Sequence, residues 1–85
     1  MGTIGQFFVM LMETNKMVEV FKTSIDNQQE STLVGNVLYV MYPAAKINFD
    51  LADCDRILRI ENSTVSVESV TKIVNALGHQ CEVLV

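Results

Sequence analysis

The stretch KINFDLADCDRILRIE, residues 46–61, decides the fold of this chain. Its first six residues alternate, with Ile47 and Phe49 on one side and polar residues between them. The polar turn ADCD follows, and the next run places Leu58 and Ile60 on one side. Alternation with a period of two around a tight polar turn is typical of an antiparallel hairpin. The stretch is therefore predicted to form two paired strands, each with one buried face.

A strand and a helix are predicted before this hairpin. The run MVEVFKTSI, residues 17–25, alternates and is rich in β-branched and aromatic residues, which favours a strand. Asp26 then offers an N-cap oxygen, and Gln29 can reach back to it as in a capping box. Pro43 ends the helix because it cannot continue the hydrogen-bond ladder. The apolar stripe of this helix consists of Leu33, Val34, Val37, Leu38 and Met41.

A second helix and a last strand are predicted after the hairpin. Ser66 is a suitable N-cap, and Val65 before it can pack on Val70 as a hydrophobic staple. Gly78 suits the position just after a helix end. The apolar stripe consists of Val67, Val70, Ile73, Val74 and Leu77. The final run HQCEVLV predicts a strand whose common face carries Cys81, Val83 and Val85.

The predicted order of elements is therefore β-α-β-β-α-β. The compact arrangement of this order is an α+β, ferredoxin-like sandwich, with two helices on one face of a four-stranded antiparallel sheet. In that topology the strands lie side by side in the order 4-1-3-2. We expect residues 17–85 to form this domain and residues 1–16 to precede it as an extension.

Composition excludes several functions. The 85 residues carry ten acidic and six basic side chains, a net charge of −4, and no cluster of Lys and Arg. Nucleic acids and anionic membrane surfaces need several clustered cations, so neither is an expected partner. The chain also lacks a basic, apolar leader at its start, and Cys54 and Cys81 belong to no Cys-rich framework. We therefore expect a cytoplasmic protein.

Two stretches, AKINFDLADCDRILRIENS and VSVESVTKIVNALGHQCEVL, resemble the heavy-metal-associated domains of copper chaperones and metal-transporting ATPases. The likeness lies mainly in the core pattern and in a last helix that ends in Leu77-Gly78-His79. Such domains share the β-α-β-β-α-β order and bind soft metal ions through a Met-x-Cys-x-x-Cys motif at the first strand–helix turn. When the helices are matched at Leu38, Asn27 and Glu30 stand in place of the two cysteines.

Neither replacement offers a soft ligand atom, so the resemblance does not carry the family's metal function over to this chain. Cys54 is expected in the hairpin turn and Cys81 in the core. Asp50, Asp53 and Asp55 gather near one turn but lack the glycine and distal glutamate of a calcium loop. We predict no metal site, no cofactor and no catalytic residue, because no nucleophile has an unoccupied base nearby.

The face of the sheet that the helices leave open is the predicted interaction surface. We expect Val18 and Val20 to point inward on the first strand, so that Met17, Glu19, Phe21 and Thr23 point outward. Phe21 would then join Ile57 and Leu84, from the two neighbouring strands, in a continuous apolar band. Contiguous exposed apolar side chains mark candidate interfaces, whereas scattered ones are ordinary.

The N-terminal segment offers a cover for that band. Its apolar residues Phe7, Phe8 and Leu11 have the spacing of an amphipathic helix, although an added edge strand is also compatible with the sequence. The segment would fold onto the open sheet or pair with its copy in a dimer. Alternatively, residues 1–16 come from a start codon placed too early.

The sequence thus predicts a small non-catalytic module that acts by protein association, either as a homodimer or with an unidentified protein partner. One alternative is a ligand-binding regulatory module similar to amino-acid-sensing domains of the same topology. Its ligand would meet the polar turn formed by Ser24, Asp26 and Asn27. The other alternative is an atypical metal-binding protein.

Overall fold

The computed structural model describes residues 18–62 and 64–84. The elements are β1 (Val18–Thr23), α1 (Gln28–Met41), β2 (Lys46–Asp50), β3 (Ile57–Glu61), α2 (Val67–Ala76) and β4 (Cys81–Val83). The strands form one antiparallel sheet in the order β2-β3-β1-β4, which is the predicted order 4-1-3-2 in reverse. The predicted ferredoxin-like α+β sandwich is confirmed.

The hairpin of β2 and β3 has the predicted faces. Leu58 and Ile60 are fully buried, and their partners Phe49 and Ile47 on β2 pack against the same core. The buried core cluster joins the sheet to both helices and consists of Phe21, Ile25, Val34, Leu38, Ala45, Leu58, Ile60, Val65, Val70 and Val74.

The predicted facing of β1 is wrong. Phe21 is fully buried rather than exposed, because it lies opposite Leu58 on one side and Val83 on the other. Directly opposite residues of antiparallel strands share a face, so Phe21 must follow these two partners into the core. Val18 has 46% of its surface exposed and lies on the open face instead.

The opposite facing also buries Thr23, whose polar group remains satisfied. Its Oγ1 donates to the carbonyl of Arg56 at 2.8 Å and accepts from the N–H of Ile25 at 3.1 Å. A buried hydroxyl with both functions paired costs little.

Helix α1 begins one residue later than expected. Asn27, not Asp26, is the N-cap, and its Oδ1 accepts from the N–H of Glu30 at 2.8 Å. The helix ends at Met41, two residues before Pro43, as predicted. Only part of the predicted stripe is buried: Val34 and Leu38 are fully buried, whereas Leu33 and Met41 are about half exposed.

Helix α2 has the predicted ends. Ser66 is the N-cap and accepts from the N–H of Ser69 at 3.1 Å. At the other end, His79 N–H donates to the carbonyl of Val74, and Gly78 N–H donates to that of Asn75. These two bonds form a Schellman motif, which requires a left-handed residue, and Gly78 has φ of 95°.

Val65 and Val70, the predicted staple, are both buried in the same core cluster. Val85 and residues 1–16 lie outside the described residues, so the predicted domain boundary at residue 17 stays a prediction.

Candidate functional site

The predicted ligand turn is held together by hydrogen bonds of its own. Ser24 N–H donates to the carbonyl of Gln80 at 3.2 Å, and Ser24 Oγ accepts from the N–H of Gln80 at 2.8 Å. Asn27 caps α1, and its Nδ2 donates to Oδ1 of Asp26 at 3.3 Å. The turn thus brings the three predicted residues together, but Ser24 and Asn27 already have structural roles.

Glu30 and His79 form a pair beside this turn. Oε1 of Glu30 lies 2.9 Å from Nε2 of His79, and the histidine side chain is only 16% exposed. The sequence match had placed Glu30 at a cysteine position of the metal-binding domains, and His79 precedes the last strand. The pair ties the first turn of α1 to the start of β4 and is an ion pair when His79 is protonated.

No nucleophile joins this pair among residues 18–62 and 64–84. The hydroxyl of Ser31, in the first turn of α1, donates to the carbonyl of Gln28 at 2.9 Å. Ser24 is bound to Gln80. The Glu30–His79 pair is a structural clasp between the first turn of α1 and the start of β4.

The β2–β3 turn gathers a second set of polar groups. The ligand atoms of Asp53, Cys54 and Asp55 lie within 4.8 Å of one another. Asp53 Oδ1, however, accepts from the N–H of Asp55 at 2.8 Å, and Asp55 lies 3.8 Å from Nζ of Lys22. Asp50 is not part of the group. Exposed carboxylates engaged in this way are ordinary features of a hairpin turn.

The two thiols have different surroundings. Cys54 is exposed, whereas Cys81 is half-buried, packs against the core and is paired with Thr23 across the sheet. Burial raises the pKa of the Cys81 thiol, and a hydrogen bond with Thr71 lowers it by less. Cys81 is therefore kept protonated at neutral pH.

The open face of the sheet does not carry the predicted apolar band. Leu84 is 39% exposed and bonds through its N–H to the carbonyl of Val20, so Val20 takes the place assigned to Phe21. Ile57 shares the face of its partner Lys22 but is only 8% exposed.

Charged side chains also divide this face. Lys22 lies between Glu82 of β4 and Ile57 of β3, and its Nζ is 3.8 Å from Asp55. The predicted N-terminal interface residues Phe7, Phe8 and Leu11 lie outside the described residues.

Most of the large apolar side chains that are exposed in the described residues lie on α1, where no interface was predicted from the sequence. Leu33, Val40 and Met41 are 47%, 80% and 55% exposed, and Val37 between them is half-buried. These four residues, spaced i, i+4, i+7 and i+8, are called the outer stripe below. The signal that would have revealed it is the absence of any charged residue between Glu30 and Lys46.

A groove of about 360 Å³ runs along another side of α1, between the helix and the edge strand β2. Tyr39 closes part of it, because its hydroxyl accepts from the N–H of Ile47 at 3.2 Å and approaches the carbonyl of the same residue at 3.4 Å. The groove is lined by Gln28, Ser31, Thr32, Gly35, Asn36, Tyr39, Ile47, Asn48, Phe49 and Leu51.

Comparison with family models, with curated proteins and with solved structures finds no significant match to this chain. Neither helix of the described residues has the length and apolar character needed to cross a membrane.

Proposed function

We propose that this protein is a non-catalytic module that associates with a second copy of itself through the outer stripe of α1. The observation that carries this proposal is Val40, which is 80% exposed near the C-terminal end of α1, on a helix that carries no charged residue after Glu30. Large exposed apolar patches on soluble domains mark interaction surfaces. The outer stripe is contiguous by its helical spacing, unlike the divided open face of the sheet.

The distribution of charge permits a second copy as the occupant. Each chain carries a net charge of −4, so two copies repel unless they meet where charges are absent. The 15 residues from Ser31 to Ala45 contain no charged side chain. Two α1 helices related by a twofold axis would bury their outer stripes together without opposing like charges.

The size of the surface predicts a weak dimer. With 14 residues, α1 is about 21 Å long, and a strip about 10 Å wide along it offers roughly 200–400 Å² per subunit. A standard interface buries about 800 Å² per partner. We therefore expect dissociation constants in the micromolar range or weaker for the described surface alone.

The polar groups near the first turn support a function without catalysis. Ser24, Asn27 and Glu30 each have a structural partner, which leaves no free nucleophile–base pair there. Our proposal keeps the relationship to heavy-metal-associated domains, with Asn27 and Glu30 in place of the cysteines and the metal chemistry lost. It also places the protein in the cytoplasm, where Cys54 and Cys81 stay reduced.

Analytical ultracentrifugation of the full chain with two matched variants tests the proposal. Val40→Lys adds one positive charge within the outer stripe, and Asn75→Lys adds the same charge at an exposed position of α2. We expect Val40→Lys to raise the dimer dissociation constant by about tenfold or more, since the charge would be buried, and Asn75→Lys to leave it unchanged.

Two outcomes would contradict the proposal. One is a wild-type chain that stays monomeric up to about 1 mM. The other is a dimer that Val40→Lys does not weaken. Native mass spectrometry of the purified chain completes the test, because a monomer carrying a stoichiometric extra mass would indicate a ligand or metal carrier.

A further inference from the structure

Met41 is the last residue of α1 and the one member of the outer stripe that contains sulfur. Its side chain is 55% exposed, and it is the one methionine among residues 18–62 and 64–84. The other three members of the outer stripe are aliphatic, so a mild oxidant leaves them unchanged. The thioether of Met41 is therefore the group through which oxidation can change the polarity of the outer stripe.

The reaction available to this thioether is conversion to the sulfoxide. With hydrogen peroxide as the oxidant, the O–O bond breaks, one oxygen atom passes to the sulfur and water leaves. The sulfur loses an electron pair to this new bond, and the peroxide is reduced to the level of water. The product is a polar side chain that persists until a methionine sulfoxide reductase removes the oxygen.

The position of Met41 suits a thioether better than a sulfoxide. The other side chains of the outer stripe contain no polar atom. The C-terminal end of a helix presents carbonyl oxygens, which are acceptors like the sulfoxide oxygen. Tyr42 N–H, the next donor along the chain, is already bonded to the carbonyl of Leu38 at 2.8 Å. A sulfoxide at this position can be hydrated in the monomer, but burial against a second copy would remove that water.

A twofold dimer of α1 helices would bury the sulfur atom. The outer stripe extends from Leu33 to Met41, so Val37 lies at its middle. A twofold axis that crosses the helices at Val37 makes them antiparallel and places Met41 against Leu33 of the partner subunit. Each end of such an interface contains one thioether, so oxidation of both chains introduces two buried acceptors into one dimer.

We propose that oxidation of Met41 to the sulfoxide separates the two copies of this protein, and that reduction of the sulfoxide allows them to associate again. This inference rests on the proposed association through the outer stripe and adds the chemistry that regulates it. The monomer leaves the sulfur 55% exposed to an oxidant, whereas the dimer covers it. Association therefore protects Met41, and oxidation of Met41 opposes association.

The test uses the full chain with Cys54→Ala, which removes the exposed thiol from the reaction. Analytical ultracentrifugation measures the dimer dissociation constant of this parent chain before peroxide, after peroxide, and after later treatment with both classes of methionine sulfoxide reductase. We expect peroxide to raise the dissociation constant about tenfold or more, since each sulfoxide oxygen would lose its water in the dimer. The reductases should restore the original value. Mass spectrometry of the peptides identifies Met41 as the site that gains the oxygen.

Met41→Leu in the same background is the matched control, because leucine keeps a similar apolar volume without the sulfur. Its dimer should withstand peroxide, although the methionines before residue 18 are still present. The inference is overturned if peroxide weakens the Met41→Leu dimer as much as that of the parent chain. It is also overturned if the oxidised parent chain associates as tightly as the reduced one. A reduced parent chain that stays monomeric would overturn the proposed function itself.

A second readout needs no change at Met41. The rate of Met41 oxidation by peroxide is measured at protein concentrations far below and well above the dissociation constant, with free methionine in each sample as an internal standard. Met41 should react more slowly, relative to the standard, where the dimer predominates. Equal relative rates at the two concentrations would show that the dimer does not cover Met41, and would overturn the inference even if the chain associates.

Discussion

The two helices cover the same sheet, yet they present opposite surfaces to water. Helix α2 is amphipathic: Val70 and Val74 are fully buried, while Glu68, Lys72 and Asn75 are exposed. Helix α1 buries Val34 and Leu38 in the same way, but its far side is the apolar outer stripe. Four of the six large apolar side chains that are exposed in the described residues belong to α1.

This difference between the helices separates the apolar residues that folding requires from those that it does not require. One buried stripe per helix is enough to cover the sheet, as α2 demonstrates. The second stripe of α1 adds nothing to the core and carries a cost in solubility. We therefore attribute it to association, and the comparison of the two helices predicts which substitutions change stability and which change assembly.

The largest expected effect separates two leucines of α1. Leu38 is fully buried and Leu33 is 47% exposed. Leu38→Ala should lower the free energy of unfolding by about 2–5 kcal/mol, because it leaves a cavity in the core. Leu33→Ala should change it by less than about 0.5 kcal/mol and should weaken the dimer. Urea unfolding at a protein concentration where the chain is monomeric measures the free energy of unfolding of both variants. Equal destabilisation would remove the distinction between the buried stripe and the outer stripe of α1.

The second prediction concerns the caps at the starts of the helices. Asn27→Ala and Ser66→Ala should each cost about 1 kcal/mol, since each removes the acceptor of a helix N–H. Asp26→Ala is the control, because Asp26 was the sequence-based candidate and accepts no helix N–H. Thermal unfolding measures the three variants. A larger loss of stability in Asp26→Ala than in Asn27→Ala would show that α1 begins earlier than described.

The third prediction is a difference in sign between two glycines. Gly35 lies inside α1, where a Cβ would meet only Cε1 of Phe49 at 3.5 Å, an ordinary contact. Gly35→Ala should therefore stabilise the protein by about 0.5–1 kcal/mol. Gly78→Ala should destabilise it by about 1 kcal/mol, because its φ of 95° strains any residue with a side chain. Chemical denaturation of both variants measures these changes in stability. If both variants were stabilised, or both destabilised, the prediction would be wrong.

The smallest expected effect is on the pH dependence of stability, through Cys81 of β4. Burial raises the pKa of Cys81 above its ordinary value of 9.0, so the unfolded thiol ionises first as pH rises. The stability that Cys81 contributes is therefore complete below pH 9.0 and is lost above it. In Cys81→Ala, the free energy of unfolding should therefore fall less steeply above pH 9.0 than in the wild type. Unfolding curves measured on both sides of pH 9.0 test this. Cys54→Ala, at the exposed thiol, should leave the pH dependence as it is in the wild type.

The fold follows from the sequence because each element carries its own signal. The hairpin alternates on both sides of its turn, and Ser66 and Gly78 mark both ends of α2. The facing of β1 could not be predicted from its own alternation, since both sides of residues 17–25 contain apolar residues. Cross-strand pairing with Leu58 and Val83 settles it, and only the assembled sheet provides that pairing.

The candidate surfaces were harder to predict than the fold. The outer stripe is hidden in the sequence because Leu33 and Met41 continue the helical spacing of the buried stripe. The groove depends on the position of the Tyr39 hydroxyl against the edge strand β2, which no residue pattern encodes. The N-terminal residues Phe7, Phe8 and Leu11 remain a sequence-based prediction.

The clasp between the first turn and β4 has a consequence for the order of folding. Ser24 and Gln80 are 56 residues apart in the chain, and Glu30 and His79 are 49 residues apart. Closing such long loops costs entropy before any contact repays it, so we expect these bonds to form after the local helices and the β2–β3 hairpin. The three-residue strand β4 is then expected to be the last element added. Its amides should also be the first to exchange with solvent when the sheet opens.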